Sequence, residues 1–323
     1  MADLDVAWWN LENLFDRQNA PNRPPALQQR LNNELAGWTA AVRDRKISQL
    51  TDIIELMFGG LGPDLLGVCE VENETVLQSL ADDINIAGRN YQIAAHNSPD
   101  ARGIDVSFIF DENILAITDT DHQVVVKRTA TRDIFWITVE EVAGNQRSFV
   151  VVGNHWPSRS GGQYKSEPFR MITGETVSSV LDDLLADGGA ELPVLIVGDF
   201  NDEPFNRSMQ EYLLGTRDRN RVTRARTPKI LNLMWPQMSE ANPGTLRFSS
   251  DWNMLDCFLA TKGLLLDRSP VTIQSDTVEI FRPDVMVGRG GAPIRFGRPS
   301  NDSLNNDGFS DHFPITVVIE TDS

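Results

Sequence analysis

The residues able to do chemistry in this chain stand directly beside short apolar runs. Asn10 follows Val6-Ala-Trp-Trp9, Glu70 follows Leu65-Leu-Gly-Val-Cys69, and Asn154 and His155 follow Val150-Val-Val-Gly153. Asp199 and Asn201 follow Val194-Leu-Ile-Val-Gly198, Asp256 sits inside Met254-Leu-Asp-Cys-Phe-Leu259, and Asp311-His312 precede Phe313-Pro-Ile-Thr-Val317. The oxygen donors among them, Asn10, Glu70, Asp199 and Asp311, are hard ligands suited to Mg²⁺ or Mn²⁺. Zinc fits this set poorly, since the chain holds neither C-x-x-C nor H-E-x-x-H. The imidazoles His155 and His312 are then free for acid–base work or for holding a phosphoryl oxygen. A carboxylate that accepts the far N–H of such a ring fixes its tautomer and stabilises its cation.

The elements that must position these residues read as an alternation of buried strands and amphipathic helices. Strands are expected at Asp5–Trp9, Leu65–Cys69, Val106–Phe110, Phe135–Val139, Phe149–Val152, Val194–Val197, Leu255–Ala260 and Ile315–Ile319, all rich in Val, Ile, Phe and Leu. Val42, Ile47, Leu50, Ile53, Ile54, Met57 and Phe58 recur at helical spacing before Gly59-Gly60 stops the pattern. A second helix is expected after Pro168, and loops at Arg17–Pro25 and Asn301–Gly308. Strands spread along the whole length, without a linker or repeat, predict a single α/β domain over residues 1–323. In such sheets, polar groups leaving the strand ends converge on one crevice.

Composition bounds the function. The chain has 323 residues, 41% hydrophobic and 23% charged, which excludes a disordered protein. No apolar run reaches the roughly 18 residues of a spanning helix, and no exposed apolar hairpin is evident, so no membrane role is expected. Twenty-nine basic against 46 acidic residues leave a formal charge of −17. A polyanionic substrate therefore needs a local positive face or a bound cation. The opening Met1-Ala-Asp-Leu-Asp5 lacks a signal region and only two cysteines occur, so a cytoplasmic monomer is expected, secreted if a leader was removed.

Taken together, Trp9-Asn10-Leu-Glu-Asn13-Leu-Phe15, Gly67-Val-Cys-Glu70-Val-Glu-Asn73, Arg102-Gly-Ile-Asp105-Val106, Asn154-His155-Trp-Pro-Ser158, Gly198-Asp199-Phe-Asn201-Asp202, Leu255-Asp256-Cys-Phe258 and Ser310-Asp311-His312-Phe-Pro314 resemble the ordered motifs of the endonuclease/exonuclease/phosphatase superfamily, the deoxyribonuclease-I-like fold. Gly-Asp-Phe-Asn after an apolar strand is the most specific of these, and the ordered set spans nearly the full chain. The resemblance implies a four-layered α/β sandwich, two mixed sheets face to face with helices outside, and Mg²⁺- or Mn²⁺-dependent phosphoester hydrolysis. It implies Glu70 as principal metal ligand with Asn10 and Asp311, Asp199 orienting or deprotonating the attacking water, and Asn201 holding a phosphoryl oxygen. It also implies His312, held by Asp256, at the scissile phosphate, and His155 as an acid for the leaving oxygen. A second histidine at this place tilts toward the deoxyribonuclease-like branch. The expected activity is a nuclease on DNA or RNA. The alternatives are a phosphatase on a smaller phosphorylated metabolite or lipid head group, and a non-catalytic binding module.

Several quieter residues complete the reading. Asp105 is expected either to pair with His155 or to lie at a surface strand start; Arg102, Asp105, Asn154 and Arg159 are candidates for substrate contact, with Arg102 otherwise solvated. Glu72 is a reserve ligand or solvated, and Cys69 and Cys257 are core thiols. His96 and His122 show no partner pattern and are expected to be solvated. Arg217, Arg219, Arg221, Arg224, Arg226 and Lys229, with Arg159, Lys165, Arg170, Arg282, Arg289, Arg295 and Arg298, are expected to form a positive rim. Trp156 and Trp252 are candidate base-stacking residues.

Overall fold

The computed structural model describes residues 2–322. In chain order the first strands are β1 (Ala2–Leu14), β2 (Leu65–Val71), β3 (Tyr91–Ala95), β4 (Asp105–Asp111) and β5 (Leu115–Gln123). There follow β6 (Ile134–Glu141), β7 (Ser148–His155), β8 (Val194–Asp199), β9 (Gly215–Thr216) and β10 (Ile230–Asn232). The last are β11 (Leu246–Phe248), β12 (Asp251–Asn253), β13 (Asp256–Ala260), β14 (Val271–Ile280) and β15 (Ile315–Thr321). One sheet has the order β14-β15-β1-β2-β4-β3 and the other β5-β6-β7-β8-β13-β10-β9, with β11 and β12 forming a separate hairpin. Both large sheets are mixed, because β1 and β2, β7 and β8, and β9 and β10 run parallel while their other pairs are antiparallel.

All eight strands expected from apolar content are present. The ones missed are mainly edge strands. β5 carries Ile117-Thr-Asp-Thr-Asp-His-Gln123, too polar to read as a strand, and is held by its ladder to β6. β14 alternates, but its ladder to β15 shifts register between Gln274 and Glu279.

The helices are α1 (Pro25–Leu31), α2 (Ala40–Leu56), α3 (Glu74–Asp83), α4 (Gln163–Gly188) and α5 (Arg219–Thr223). Helix α2 matches the expected apolar spacing and buries Ile47, Leu50, Ile53 and Ile54. Its first turn is capped by Thr39 Oγ1, which accepts from Val42 N at 3.3 Å. Helix α4 starts at Gln163, five residues before Pro168. Pro168 is the sixth residue of α4, so the helix runs on past the one hydrogen bond, to Tyr164 O, that its missing N–H cannot make. The buried Arg170 side chain braces that first turn by donating to Gln163 O at 2.9 Å and to Ser166 Oγ at 2.7 Å.

The two sheets pack closely enough that residue size matters at the interface. A Cβ on Gly153 of β7 would lie 2.6 Å from Val106 and 3.0 Å from Phe108 of β4. Cross-sheet hydrogen bonds then lock the seam: Trp8 Nε1 donates to Asp256 Oδ1 at 3.0 Å, and Asn10 Nδ2 donates to Asp199 Oδ2 at 3.0 Å. Among the described residues, no helix is long and apolar enough to cross a membrane. Cys69 and Cys257 are buried free thiols, as expected.

Candidate active site

The crevice lies where β1, β2, β7 and β8 end, β13 begins, and the loop ahead of β15 returns. Parallel pairing carries the ends of β1 and β2 to the same level, with Asn10 beside Cys69. It does the same for β7 and β8, where His155 pairs with Asp199. Antiparallel β13 brings Asp256 opposite Asp199. Residues as far apart as Trp9 and His312, 303 positions in the chain, meet because these strand ends and the loop ahead of β15 lie on one side of the fold.

Asp199 is held on both oxygens. Its Oδ1 accepts from Asn201 N at 2.9 Å, and its Oδ2 from Asn10 Nδ2. Burial, then the neighbouring Asp256 carboxylate, raises its pKa to about 7. Asn201 adopts a left-handed φ of 50°, and its Nδ2 donates to Trp156 O at 3.1 Å. The turn after β8 thereby aims the Asp199 carboxylate.

Asp256 and His312 form a hydrogen-bonded pair, with His312 Nδ1 2.6 Å from Asp256 Oδ2. Thr245 Oγ1 also donates to Oδ2, at 2.5 Å. Burial works against the imidazolium, but the Asp256 carboxylate, with Asp199 and Asp311 behind it, raises the His312 pKa well above the usual range. His312 is itself anchored through its backbone, its O accepting from Trp9 Nε1 at 2.8 Å and its N donating to Ser310 Oγ at 3.2 Å.

Glu70 breaks the strand. Its φ is 65°, and the β2–β4 register shifts between Cys69 and Val71. A non-glycine residue in this region stores strain, and such outliers gather at functional sites. The bulge turns Glu70 toward His155, whose Nε2 lies 3.8 Å from Glu70 Oε1 and 3.8 Å from Asp199 Oδ2. Glu72 is neither solvated nor in the crevice: it is buried, paired with Arg23 at 2.5 and 2.7 Å, and accepts Asp16 N at 2.8 Å.

Asp311 lies 3.4 Å from Arg295 Nη2, and burial together with Glu12 raises its pKa to about 6. Glu12 accepts from Arg295 Nε and from the backbone N of Phe296 at 2.8 Å each, pinning that loop beside the crevice. Behind them, Lys46 of α2 is fully buried and donates to Phe309 O. Burial lowers its pKa to about 8 against the pull of Glu12, Asp311 and Glu70.

The donor chemistry fits a hard divalent cation. Glu70, Asp311 and Asp199 supply carboxylate oxygens, and Asn10 Oδ1, which accepts Glu12 N at 3.0 Å, keeps a second lone pair. The raised pKa values of Asp199 and Asp311 are the mark of crowded buried negative charge that a cation relieves. Ligand atoms of Asp199, Asp256 and His312 also lie within 4.8 Å of one another.

Other expectations need correction. Asp105 is not paired with His155: it accepts from Ser98 Oγ, burial raises its pKa to about 7, and His155 Nδ1 has no partner. Burial, with Arg132, Arg102 and His312 nearby, lowers the His155 pKa well below the usual value. Asn154 is spent on the scaffold, donating to Val152 O and Val197 O and accepting Trp156 Nε1 at 3.1 Å. Arg159 is likewise committed, to Asn201 O at 2.7 Å, Asp202, Asn206 and Asn253. Arg102 binds Asn13 and Glu34 yet stays 37% exposed beside the crevice.

The expected positive rim is also incomplete. β9, which leads into the Arg217–Lys229 cluster, pairs Gly215 with Ile230, and Leu231 pairs with Ala260. Ala260 pairs with Leu195, at the opposite end of β8 from Asp199, so those arginines sit away from the crevice. Trp156 is fully buried against Phe200, and Trp252 stacks on Phe313 at 6.3 Å with Arg282 over its ring. Sequence reasoning missed Thr245, Trp8 and Glu12 as supports of the site. Only the polar character of Trp8 and Glu12 next to Asn10 offered a signal.

The profile of the Endonuclease/Exonuclease/phosphatase family matches residues 5–321. No curated protein sequence matches this chain. The catalytic domain of human Nocturnin, solved with sulfate, superposes with a TM-score of 0.56 at 15% identity, over 99% of this chain and 94% of that one. A D. rerio TDP2 humanized by 14 mutations gives 0.59 at 11% identity, over 99% of each chain. A mannosyl-6-phosphatase of Bacteroides thetaiotaomicron gives 0.58 at 12%, over 98% and 99%. Identities this low carry the fold alone, a sandwich of two mixed sheets flanked by helices. With a family profile running almost end to end over motifs that the fold gathers at one crevice, this chain belongs to the endonuclease/exonuclease/phosphatase family.

Proposed function

We propose that this chain is a divalent-metal-dependent phosphodiesterase that cleaves nucleic acid strands by attack of an activated water. The observation that carries the reading is the convergence of the Asp256–His312 pair and the doubly held Asp199 on one cross-sheet seam, beside the oxygens of Glu70 and Asp311. Glu70, Asp311 and Asn10 would hold Mg²⁺ or Mn²⁺. The bound cation supplies charge stabilisation at the phosphoryl oxygens.

The chain's own residues do the rest. Asp199, with its pKa near 7, takes the proton of the attacking water. His312 is charged and has Nδ1 committed to Asp256, which leaves Nε2–H to donate to a phosphoryl oxygen as negative charge builds there. His155 Nε2 lies between the two carboxylates, 3.8 Å from Glu70 Oε1 and 3.8 Å from Asp199 Oδ2. Arg102 and Arg295, 37% and 56% exposed at the rim, offer charge to the substrate's phosphates.

A second reading, hydrolysis of a small phosphomonoester, is favoured by one observation: the large basic cluster lies away from the crevice. The two readings separate on one experiment. Plasmid DNA, single-stranded RNA and a sugar phosphate are incubated with protein and Mg²⁺ or Mn²⁺, with and without EDTA. Metal-dependent strand cleavage is the expected result, and turnover of the sugar phosphate alone overturns the nuclease reading. Inertness toward all three, with metal or without, would instead point to a binding module.

A further inference from the structure

We propose a second metal site, for Zn²⁺ or a similar imidazole-seeking transition ion, formed by His96, His122 and Asp133. These histidines read as solvated and unpartnered in the sequence, and the fold brings them together. His96 directly follows β3, the outermost strand of one sheet, and His122 lies in β5, the outermost strand of the other. Asp133 immediately precedes β6, where Phe135 pairs with His122.

The three side chains touch. The His96 and His122 rings stack with centroids 4.0 Å apart, and His96 also stacks on Phe135 at 5.6 Å. His96 Nε2 lies 2.8 Å from Asp133 Oδ2. One ligand atom from each of the three falls within 4.8 Å of the others.

An ordinary His–Asp hydrogen bond leaves one feature unexplained. Asp133 is only 4% exposed, and its Oδ1 has no hydrogen-bond partner. A buried carboxylate oxygen without a donor is costly, and a cation is the ligand that satisfies it. Two imidazoles and one carboxylate are borderline ligands that select zinc-like ions over Mg²⁺, which prefers all-oxygen shells. Bonds of about 2.1 Å in a tetrahedral shell place ligand atoms about 3.4 Å apart. The atoms must therefore draw closer, and His122, 43% exposed, has the freedom to turn its ring edge inward. Such an ion would clip together the free edges of the two sheets, each carried by a single ladder, and none of its ligands belongs to the catalytic crevice.

The test uses the full chain, stripped with EDTA and dialysed, then titrated with ZnCl₂ by calorimetry and by thermal denaturation. The crevice can also take zinc, so the comparison is between wild type and the variants H122A and D133N. Wild type is expected to bind one more equivalent of Zn²⁺ than either variant and to show a rise in Tm that both lose. MgCl₂ should not reproduce that rise. H122A, altered at an exposed position, should match wild type in metal-free Tm and in Mg²⁺-dependent hydrolysis, so this result stands apart from the catalytic reading. Equal Zn²⁺ stoichiometry and equal Tm response in wild type and H122A would overturn the proposal.

Discussion

Asn10, in β1 of one sheet, donates its side-chain N–H to Asp199, the last residue of β8 in the other, at 3.0 Å. The bond crosses the seam between the sheets and fixes the orientation of the carboxylate placed to receive a proton. Asp199→Ala should therefore fold and lose on the order of 10²–10⁴ in kcat, a magnitude common for a positioned base. In wild type the rate should fall toward acid pH, since protonated Asp199, whose pKa without metal is about 7, is no longer a base. A bound cation moves that midpoint lower. A pH–rate profile of wild type, with the variant measured at pH 8, checks both statements, and near-normal turnover by a folded Asp199→Ala would refute the assignment.

The Asp256–His312 pair predicts a graded series. Asp256→Asn keeps the shape but removes the charge that holds His312 protonated, and should cost on the order of 10²–10⁴ in kcat. Trp8→Phe leaves that charge in place and deprives only Oδ1 of its donor. It should cost about 1–3 kcal/mol of stability, the usual range for a buried group left unpaired, with a smaller loss of rate. Urea denaturation and steady-state kinetics on the two proteins separate the roles, and an equal rate loss in both would contradict them.

Glu70 holds a left-handed backbone at φ 65°. Glycine adopts that conformation without penalty, so Glu70→Gly should be more stable than Glu70→Ala by about 1 kcal/mol. Both should lose the dependence of activity on added Mg²⁺ together with activity itself. Thermal melts of the two variants without metal check the strain, and a less stable glycine variant would argue against it.

Asp105 gives a pH prediction for stability. Burial raises its folded-state pKa from 3.8 to about 7, so folding favours the protonated form. Its favourable contribution is complete below the unfolded value and disappears as pH rises through about 7. Asp105→Asn lacks this titration. The stability of the variant relative to wild type should grow between pH 4 and 7 and then level off. The gain should reach a few kcal/mol, because each pH step between the unfolded and folded pKa values is worth about 1.4 kcal/mol. Chemical denaturation at pH 4, 6 and 8 measures it, and a difference that is flat with pH would exclude a buried ionising Asp105.

Strand content, the main helix and the residues beside the crevice were legible from the chain alone. Buried strands demand runs of Val, Ile, Leu and Phe, and the polar residues closing those runs stand out against them. Asn10, Glu70, Asp199, Asp256 and His312 are read this way. Partners were not legible. Asn154 and Arg159 have the right chemistry for substrate but spend it on Val197, Asn201 and Asp202, because hydrogen bonding follows distance in space and not order in the chain. The Arg217–Lys229 cluster follows Gly-Asp-Phe-Asn closely in sequence, yet antiparallel β13 and the strands beyond it carry it to the other end of the sheet. The meeting of His96 with His122 likewise needed both sheets, since only their packing sets two edge strands side by side.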